Sequence, residues 1–295
     1  VIEVLAPGVL TLVEDAGRPG FAAVGVGRSG AADPAALRLG NRLVGNDPGA
    51  AALEVLLGGL EVHALQTTVV ALTGAVGPAW VDEAPVDHGA ALRLPAGSRL
   101  RLGTADLGLR TYVAVRGGVD VPVVLGSRSA DRLSGLGPAP LAAGDVLPVG
   151  TGTRGLPELS PAAPHVGPAR DVPPAPPVPP VQPVLPVLPG PRLDWFAPDA
   201  LDVLTRAVYR VTPSSDRVAL RLAGPPLPRA PRGELPSEGL VVGAVQVPPD
   251  GQPVVFGPDH PVTGGYPVLA VVRANGLPAA AQLRPGDPVR FTLAR

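Results

Sequence analysis

The 295-residue sequence has no cysteine, which excludes disulfides, thiolate nucleophiles and Cys-ligated zinc or iron–sulfur centres. It has no lysine either, so all 24 basic side chains are arginine. That removes a P-loop lysine, a Schiff-base or pyridoxal-phosphate lysine and an attachment point for biotin; any nucleotide or biotin chemistry needs groups carried elsewhere. Methionine is absent and aromatics make up only 3%. Charge of neither sign dominates: 25 acidic against 24 basic residues leave a net charge of -1, and no basic run stands out along the chain. This argues against a nucleic-acid surface or a polybasic membrane patch. Proline, glycine or a charge interrupts every apolar run before it reaches a bilayer's width, and no charged segment with an apolar core opens the chain, so a soluble cytoplasmic protein is expected. The four histidines, His63, His88, His165 and His260, are too scattered for a metal motif, and no bound metal is expected.

What the chain has in quantity is glycine and proline, 38 and 41 residues, punctuating short apolar runs. Strands are expected over Val1–Leu5, Val9–Val13, Val69–Thr73, Ala90–Leu94, Arg99–Leu102 and Arg110–Val115. With so few helical stretches, this cadence predicts a mainly β barrel or sandwich. The densest signal runs from Ser237 to Pro267. Val241–Val247, the turn Pro248-Pro249-Asp250-Gly251 and Pro253–Phe256 read as a hairpin, followed by a polar loop through Asp259, His260, Thr263, Gly264, Gly265 and Tyr266. Gly25-x-Gly27-x-x-Gly30 and Gly150-x-Gly152-x-x-Gly155 both satisfy a dinucleotide-binding pattern in the wrong context: neither set of glycines opens a helix after a buried strand. The first helix is expected at Pro34–Val44, with Asp33 as N-cap, Ala36, Leu39, Gly40 and Leu43 on one face and Gly45 beyond its end.

An internal echo suggests two lobes of like topology. YVAVR at 112–116 resembles LAVVR at 269–273, and LAAGDVL at 141–147 resembles LRPGDPV at 283–289. The length fits two domains, with lobes expected over 1–155 and 184–295 and a proline-rich, semi-rigid connector over 156–183. Val184–Leu188 reads as an edge strand of the second lobe, and Pro198 as the start of a short helix to about Arg206. Asp15 and Arg18 either pair with each other or leave Arg18 to reach an anion. Asn41 and Asn46 either line a pocket or satisfy a helix terminus.

Several blocks, taken together, resemble the carboxyltransferase-like family, which includes the C subunit of bacterial 5-oxoprolinase, the second subunit of allophanate hydrolase and half of the urea carboxylase carboxyltransferase domain. They are Asp15-x-x-Arg18, Ser29-Gly30 with Asp33, Asn41 to Asn46, Glu54, Gly126-Ser127-Arg128-Ser129, Ser215-Asp216-Arg217, Ser237-Glu238-Gly239, Gly243 to Pro248 and Thr263-Gly264-Gly265-Tyr266. The resemblance implies two cyclophilin-like β-barrel lobes. It also implies a heteromeric complex with a smaller companion, the B subunit (like allophanate hydrolase subunit 1), and a third hydrolase subunit.

For the 5-oxoprolinase type, the implied reaction is ATP-dependent opening of a cyclic amide to glutamate. The alternatives are carboxyl transfer from carboxybiotin on another chain to urea or a related amide, and a non-catalytic partner of a kinase inhibitor. In the enzyme reading, the candidate catalytic residues by their chemistry are Glu238, Asp259 and Tyr266. The implied substrate-binding residues are Asp15, Arg18, Ser29, Asn41, Asn46, Glu54, Arg128, Arg217, Gln246 and Thr263. The arginines would hold carboxylate or phosphate oxygens, Glu238 or Asp259 would move a proton, and Gln246, Thr263 and Tyr266 would orient an amide. The sequence departs from the family pattern at Ala130, at Gly137-Pro138-Ala139-Pro140, at Val218-Ala219-Leu220 and at Val262, where polar or small loop residues are usual.

Overall fold

The computed structural model describes residues 1–157, 183–230 and 233–294; all but the ends of the connector expected over 156–183 lies outside them. The first part of the chain forms β1 (Ile2–Pro7), β2 (Leu10–Glu14), α1 (Pro34–Leu43), β3 (Ala52–Leu56), β4 (Leu60–Ala64), β5 (Thr68–Val76), β6 (Ala79–Val81), β7 (Ala84–Pro85), β8 (Ala91–Leu94), β9 (Arg99–Leu102), β10 (Leu107–Val115) and β11 (Val146–Leu147). The second forms β12 (Val184–Pro189), α2 (Ala200–Arg206), β13 (Tyr209–Val211), β14 (Ala219–Ala223), β15 (Glu238–Gly239), β16 (Ala244–Gln246), β17 (Val254–Phe256), β18 (Thr263–Gly264), β19 (Val268–Val272), α3 (Leu277–Ala281) and β20 (Pro288–Leu293). The fold is mainly β, as the cadence of short strands predicts.

The two halves close differently. The first packs a six-stranded sheet, β11-β1-β4-β9-β6-β7, against a five-stranded sheet, β2-β3-β10-β5-β8. Ile2, Val4, Val62 and Leu100 from one meet Val13, Leu53, Leu72 and Val113 from the other in a shared core. The second half is a closed seven-stranded barrel, β12-β19-β16-β17-β14-β13-β20, filled by Leu185, Tyr209, Val245, Leu269 and Phe291. β12 is therefore a member of the ring and no edge, paired antiparallel to β19 and parallel to β20. Proline is tolerated there because Pro186 faces Arg273, just past the end of β19. Its carbonyl accepts from the Arg273 N–H at 2.8 Å, and only the reciprocal bond at the ladder's end is missing.

The echoed turns share one set of bonds. Asp145 Oδ2 accepts from Ala142 N and Asp287 Oδ2 from Arg284 N, each at 2.8 Å. Gly144 and Gly286 both adopt φ +90°, a conformation glycine takes without a Cβ penalty. Each turn then clasps a strand of its own half: Gly144 N donates to Val4 O and Gly286 N to Val211 O, both at 2.8 Å.

The 237–267 region contains its hairpin, β16–β17, with Val245 opposite Val255 and Gly251 (φ +75°) donating to Pro248 O at the turn. The strand is shorter than expected, because residues before Ala244 turn at Gly243, which has positive φ. In α1, Asp33 caps as expected, accepting from Ala35 N and Ala36 N at 3.1 and 2.9 Å. Of the face expected to point inward, Ala36, Gly40 and Leu43 are buried, joined by Leu37 and Asn41, while Leu39 faces out. The contact centres on Gly40, where a Cβ would sit 3.1 Å from Ala114 Cβ, and Asn41 turns inward to bond the carbonyls of Ala50 (2.7 Å) and Pro48 (3.4 Å).

Candidate functional site

Strand alternation sets the first cluster. Odd positions of β3 and β10, such as Leu53, Val55 and Val113, enter the shared core, so even positions line the opposite face of the five-stranded sheet. Leu12, Glu54, Tyr112 and Thr73 lie in one cross-strand row on that face. α1 covers one end of the face. The other end receives Arg217, from the loop between β13 and β14 of the barrel half.

Arg217 is 5% exposed and meets three carboxylates. Its Nε and Nη2 hold Asp259 at 2.8 and 3.1 Å, Nη1 bonds Glu54, and Nη2 lies 3.2 Å from Glu14 and donates to Gly30 O at 2.7 Å. Glu54 also accepts from Tyr112 Oη at 2.6 Å and Ala32 N at 3.0 Å, with Arg110 Nε at 3.3 Å. Asp259 accepts from Ser29 Oγ at 2.7 Å and Arg132 N at 3.2 Å.

Three buried acids face two guanidinium groups, and the pKa directions resolve the imbalance. Burial, reinforced by the neighbouring Glu54 and Asp259 and opposed by Arg217, pushes the Glu14 carboxyl well above its ordinary value. Burial also opposes ionisation of Glu54, but Arg217 and Arg110 outweigh it and hold that carboxyl below the usual range. Arg217 stays charged because Glu14, Glu54 and Asp259 outweigh its desolvation. A second clasp joins the halves beside it. Gln282 Oε1 accepts from Leu109 N and Arg110 N, its Nε2 donates to Asp33 Oδ2, and Arg284 bonds the carbonyls of Ala105 and Gly108.

Among the described residues no ion pair joins Asp15 to Arg18, and both alternatives held for them give way to a third arrangement. Asp15 Oδ1 accepts from Ser127 Oγ and Ser129 Oγ at 2.6 Å, and Oδ2 from Arg128 N at 2.6 Å. Arg18 is 1% exposed; it bonds Ser129 O and Val124 O and lies 3.9 Å from Asp131. Asn46 donates to Asn41 Oδ1 (3.0 Å) and Val115 O (2.8 Å) and accepts from Gly117 N, so the two asparagines tie the end of α1 to β10. Arg128 is half-buried and pairs with Asp120.

The second cluster faces solvent. β15 and β18 form a two-stranded sheet with Glu238 opposite Gly264 and Gly239 opposite Thr263. Arg192 holds both oxygens of Glu238, and this hydrogen-bonded pairing lowers the Glu238 pKa. Gln246 lies buried beneath, donating to Tyr266 O at 2.9 Å, while the Tyr266 ring is exposed with the Arg229 guanidinium 6.0 Å from its centroid. The loop Gly257–Val262 connects the clusters: Asp259 is held at the buried end, and Thr263 follows at the open one. His260 Nδ1 contacts Pro261 O at 2.7 Å. Between the halves lies a cavity of about 200 Å³ lined by Leu10, Leu12, Leu56, Glu54, Arg110 and Arg217, adjoined by one of about 70 Å³ that reaches Phe256 and Leu277.

The structure thus gathers Ser29, Glu54, Arg217 and Asp259 in one place, and Glu238, Gln246, Thr263 and Tyr266 in another. Asp15, Arg18 and Arg128 meet at the Ser127–Ser129 loop, and Asn41 and Asn46 stand apart at the end of α1. Sequence reasoning missed Glu14, Arg110, Tyr112 and Gln282. For the first three the available signal was their place in β2 and β10, on the face opposite Val13, Val113 and Val115. Gln282 lies outside any strand and carried no such mark.

The carboxyltransferase domain family, subdomain A and B, matches residues 24–293. The chain is 37% identical to the C subunit of 5-oxoprolinase from Escherichia coli, over 99% of this chain and 90% of that protein. It is 32% identical to urea amidolyase of Lachancea kluyveri over 98% of this chain but 17% of the yeast protein. The crystal structure of K. lactis urea amidolyase superposes with a TM-score of 0.87 at 30% identity, covering all of this chain and 19% of that one. A match of this extent, carried in a fold with the same strand architecture, places the chain in the carboxyltransferase domain family, subdomain A and B.

Proposed function

We propose that the chain is a component of an ATP-dependent, amide-hydrolysing complex of the 5-oxoprolinase type, working with a smaller companion subunit. The observation that carries this reading is the extent of the match: nine-tenths of the 5-oxoprolinase C subunit corresponds to this chain, against less than a fifth of urea amidolyase. In this reading the open cluster meets the cyclic amide. Thr263 and Tyr266 offer hydroxyls to the amide oxygen, and Glu238, kept ionised by Arg192, accepts a proton from the attacking water. Asp259, Arg217, Ser29 and Glu54 act from beneath by fixing the loop that leads into Thr263. Asp15, Arg18 and Arg128 hold the Ser127–Ser129 loop alongside, and Asn41 and Asn46 hold α1 in place. ATP is handled by the other subunits. With no lysine among these residues, any biotin is attached outside them.

The test is reconstitution. The purified complex with its companion subunits is expected to release glutamate from 5-oxoproline only when ATP is supplied. No release from folded, assembled subunits would remove the reading, and transfer of carboxyl from carboxybiotin to urea would replace it with the carboxyltransferase one.

A further inference from the structure

The sequence contains no basic run, yet the fold builds one. α1 presents Arg38 and Arg42 one turn apart on its exposed face, with Leu39 between them. Arg93 on β8 sits opposite Val69 of β5, and Val69 packs against the α1 cluster, so Arg93 emerges on the α1 side of the sheet. Arg116, just past β10, reaches the same region, where its Nη1 bonds Val44 O and Gly155 O. Arg154 completes the set from the segment Thr153–Gly155, which bridges to Asn46.

Two surface grooves of about 600 and 610 Å³ flank that segment: one is lined by Arg38, Arg42, Arg154 and Leu156, the other by Arg93 and Arg116. No acidic side chain is among the described residues lining either groove; Asp47 pairs with Arg154 at the rim, and Asp120, paired with Arg128, lies beside Gly150 of the second groove. The side chains of Arg38, Arg42 and Arg93 make no hydrogen bond or ion pair among the described residues. Local roles account for only part of this. Arg42 in the last turn of α1 complements the helix dipole and Arg116 satisfies an end carbonyl, but neither role applies to Arg38 or Arg93.

We infer that this arginine-lined face of α1 and the Thr153–Gly155 segment docks an acidic segment of a partner protein. Five guanidinium groups against the carboxylates of Asp47 and of Asp120, the latter already paired with Arg128, on a chain whose overall charge is -1, form a localised positive field. Leu156, 87% exposed, and Leu39 beside Arg38 supply the apolar contacts that a bound segment covers. The relatives point to polypeptide as the occupant: the matching module is one subunit of 5-oxoprolinase and, in yeast urea amidolyase, part of a chain about five times longer. The inference rests on the multi-subunit reading above and adds to it the surface through which the companion is held.

The experiment titrates the full-length chain with its purified companion subunit at 50 and 300 mM salt, comparing wild type, R38E/R42E and a control charge reversal elsewhere, R206E/R273E. Wild type is expected to weaken markedly with salt. R38E/R42E is expected to bind at least about tenfold more weakly and with a flatter salt dependence, while the control matches wild type. Unchanged affinity in R38E/R42E, with a folded protein by circular dichroism, overturns the inference and leaves the proposed function standing. No association of the wild-type pair overturns both. Tight binding of sodium tripolyphosphate that R38E/R42E abolishes, with companion binding intact, makes the face a small-anion site and also overturns the inference.

Discussion

Two arginines of this chain make the same chemical pairing in opposite surroundings. Arg217 grips Asp259 with two nitrogens and Arg192 grips Glu238 with two nitrogens. Arg217 is buried where the two halves meet, and it draws Glu54, Glu14 and the Gly30 carbonyl into the same network. Arg192 stands at the surface, where water screens the pair. Burial decides what each can do. In the low dielectric, losing one partner strands an uncompensated charge; in solvent, the pair contributes little to stability and its carboxylate remains reachable by a ligand.

The largest expected effect tests the buried side of this comparison. Arg217→Leu leaves Asp259 and Glu54 without their shared cation and should destabilise the protein by about 3–5 kcal/mol in urea unfolding. A loss below about 1 kcal/mol would mean that the halves are held by the Gln282 and Arg284 contacts alone.

Glu14→Gln sharpens the same side through pH. The folded-state pKa of Glu14 is raised, so its proton favours the folded state, and wild-type stability falls as pH rises from the ordinary value of 4.5 toward the raised one. Glu54 behaves oppositely: its pKa is lowered, so its contribution is complete above the unfolded value and is lost as pH falls through the folded one. Above about pH 4.5, Glu14→Gln should therefore gain on wild type as pH rises toward the raised Glu14 value, with a slope of up to about 1.4 kcal/mol per pH unit, while both lose stability in acid as Glu54 is protonated. Parallel curves would show that Glu14 carries no proton in the native protein.

The smallest effect on stability belongs to the exposed pair. Arg192→Ala should leave the unfolding midpoint where it is and lower glutamate release by the assembled complex about tenfold or more, by freeing Glu238 from its orientation. A shifted midpoint with unchanged turnover would reverse the assignment of the two clusters.

Much of the fold was legible because its signals are local. Asp33-Pro34 marked the start of α1, Pro248 to Gly251 marked a hairpin turn, and the Gly-Asp pairs at 144–145 and 286–287 marked two turns with matching bonds. β12 was misplaced at an edge because its prolines suggested one, whereas the neighbours that make it a ring member lie some eighty residues and more away. The site was legible only as a set of residues. Glu54, Arg217 and Asp259 were named without any indication that they touch, and Arg18 gave no sign that it turns inward to Ser129 O.

The amino-acid sequence by itself determined the strand-rich class, the exclusion of thiol and lysine chemistry, and the family, because composition, turn residues and motif blocks act over a few positions. Tertiary structure alone decided which charges are buried and which stay open. Arg217 meets Glu54 across 163 residues, and Arg38, Arg42, Arg93, Arg116 and Arg154 come together from separate segments. Electrostatic energy depends on distance through space and on local dielectric, and neither is written in chain order.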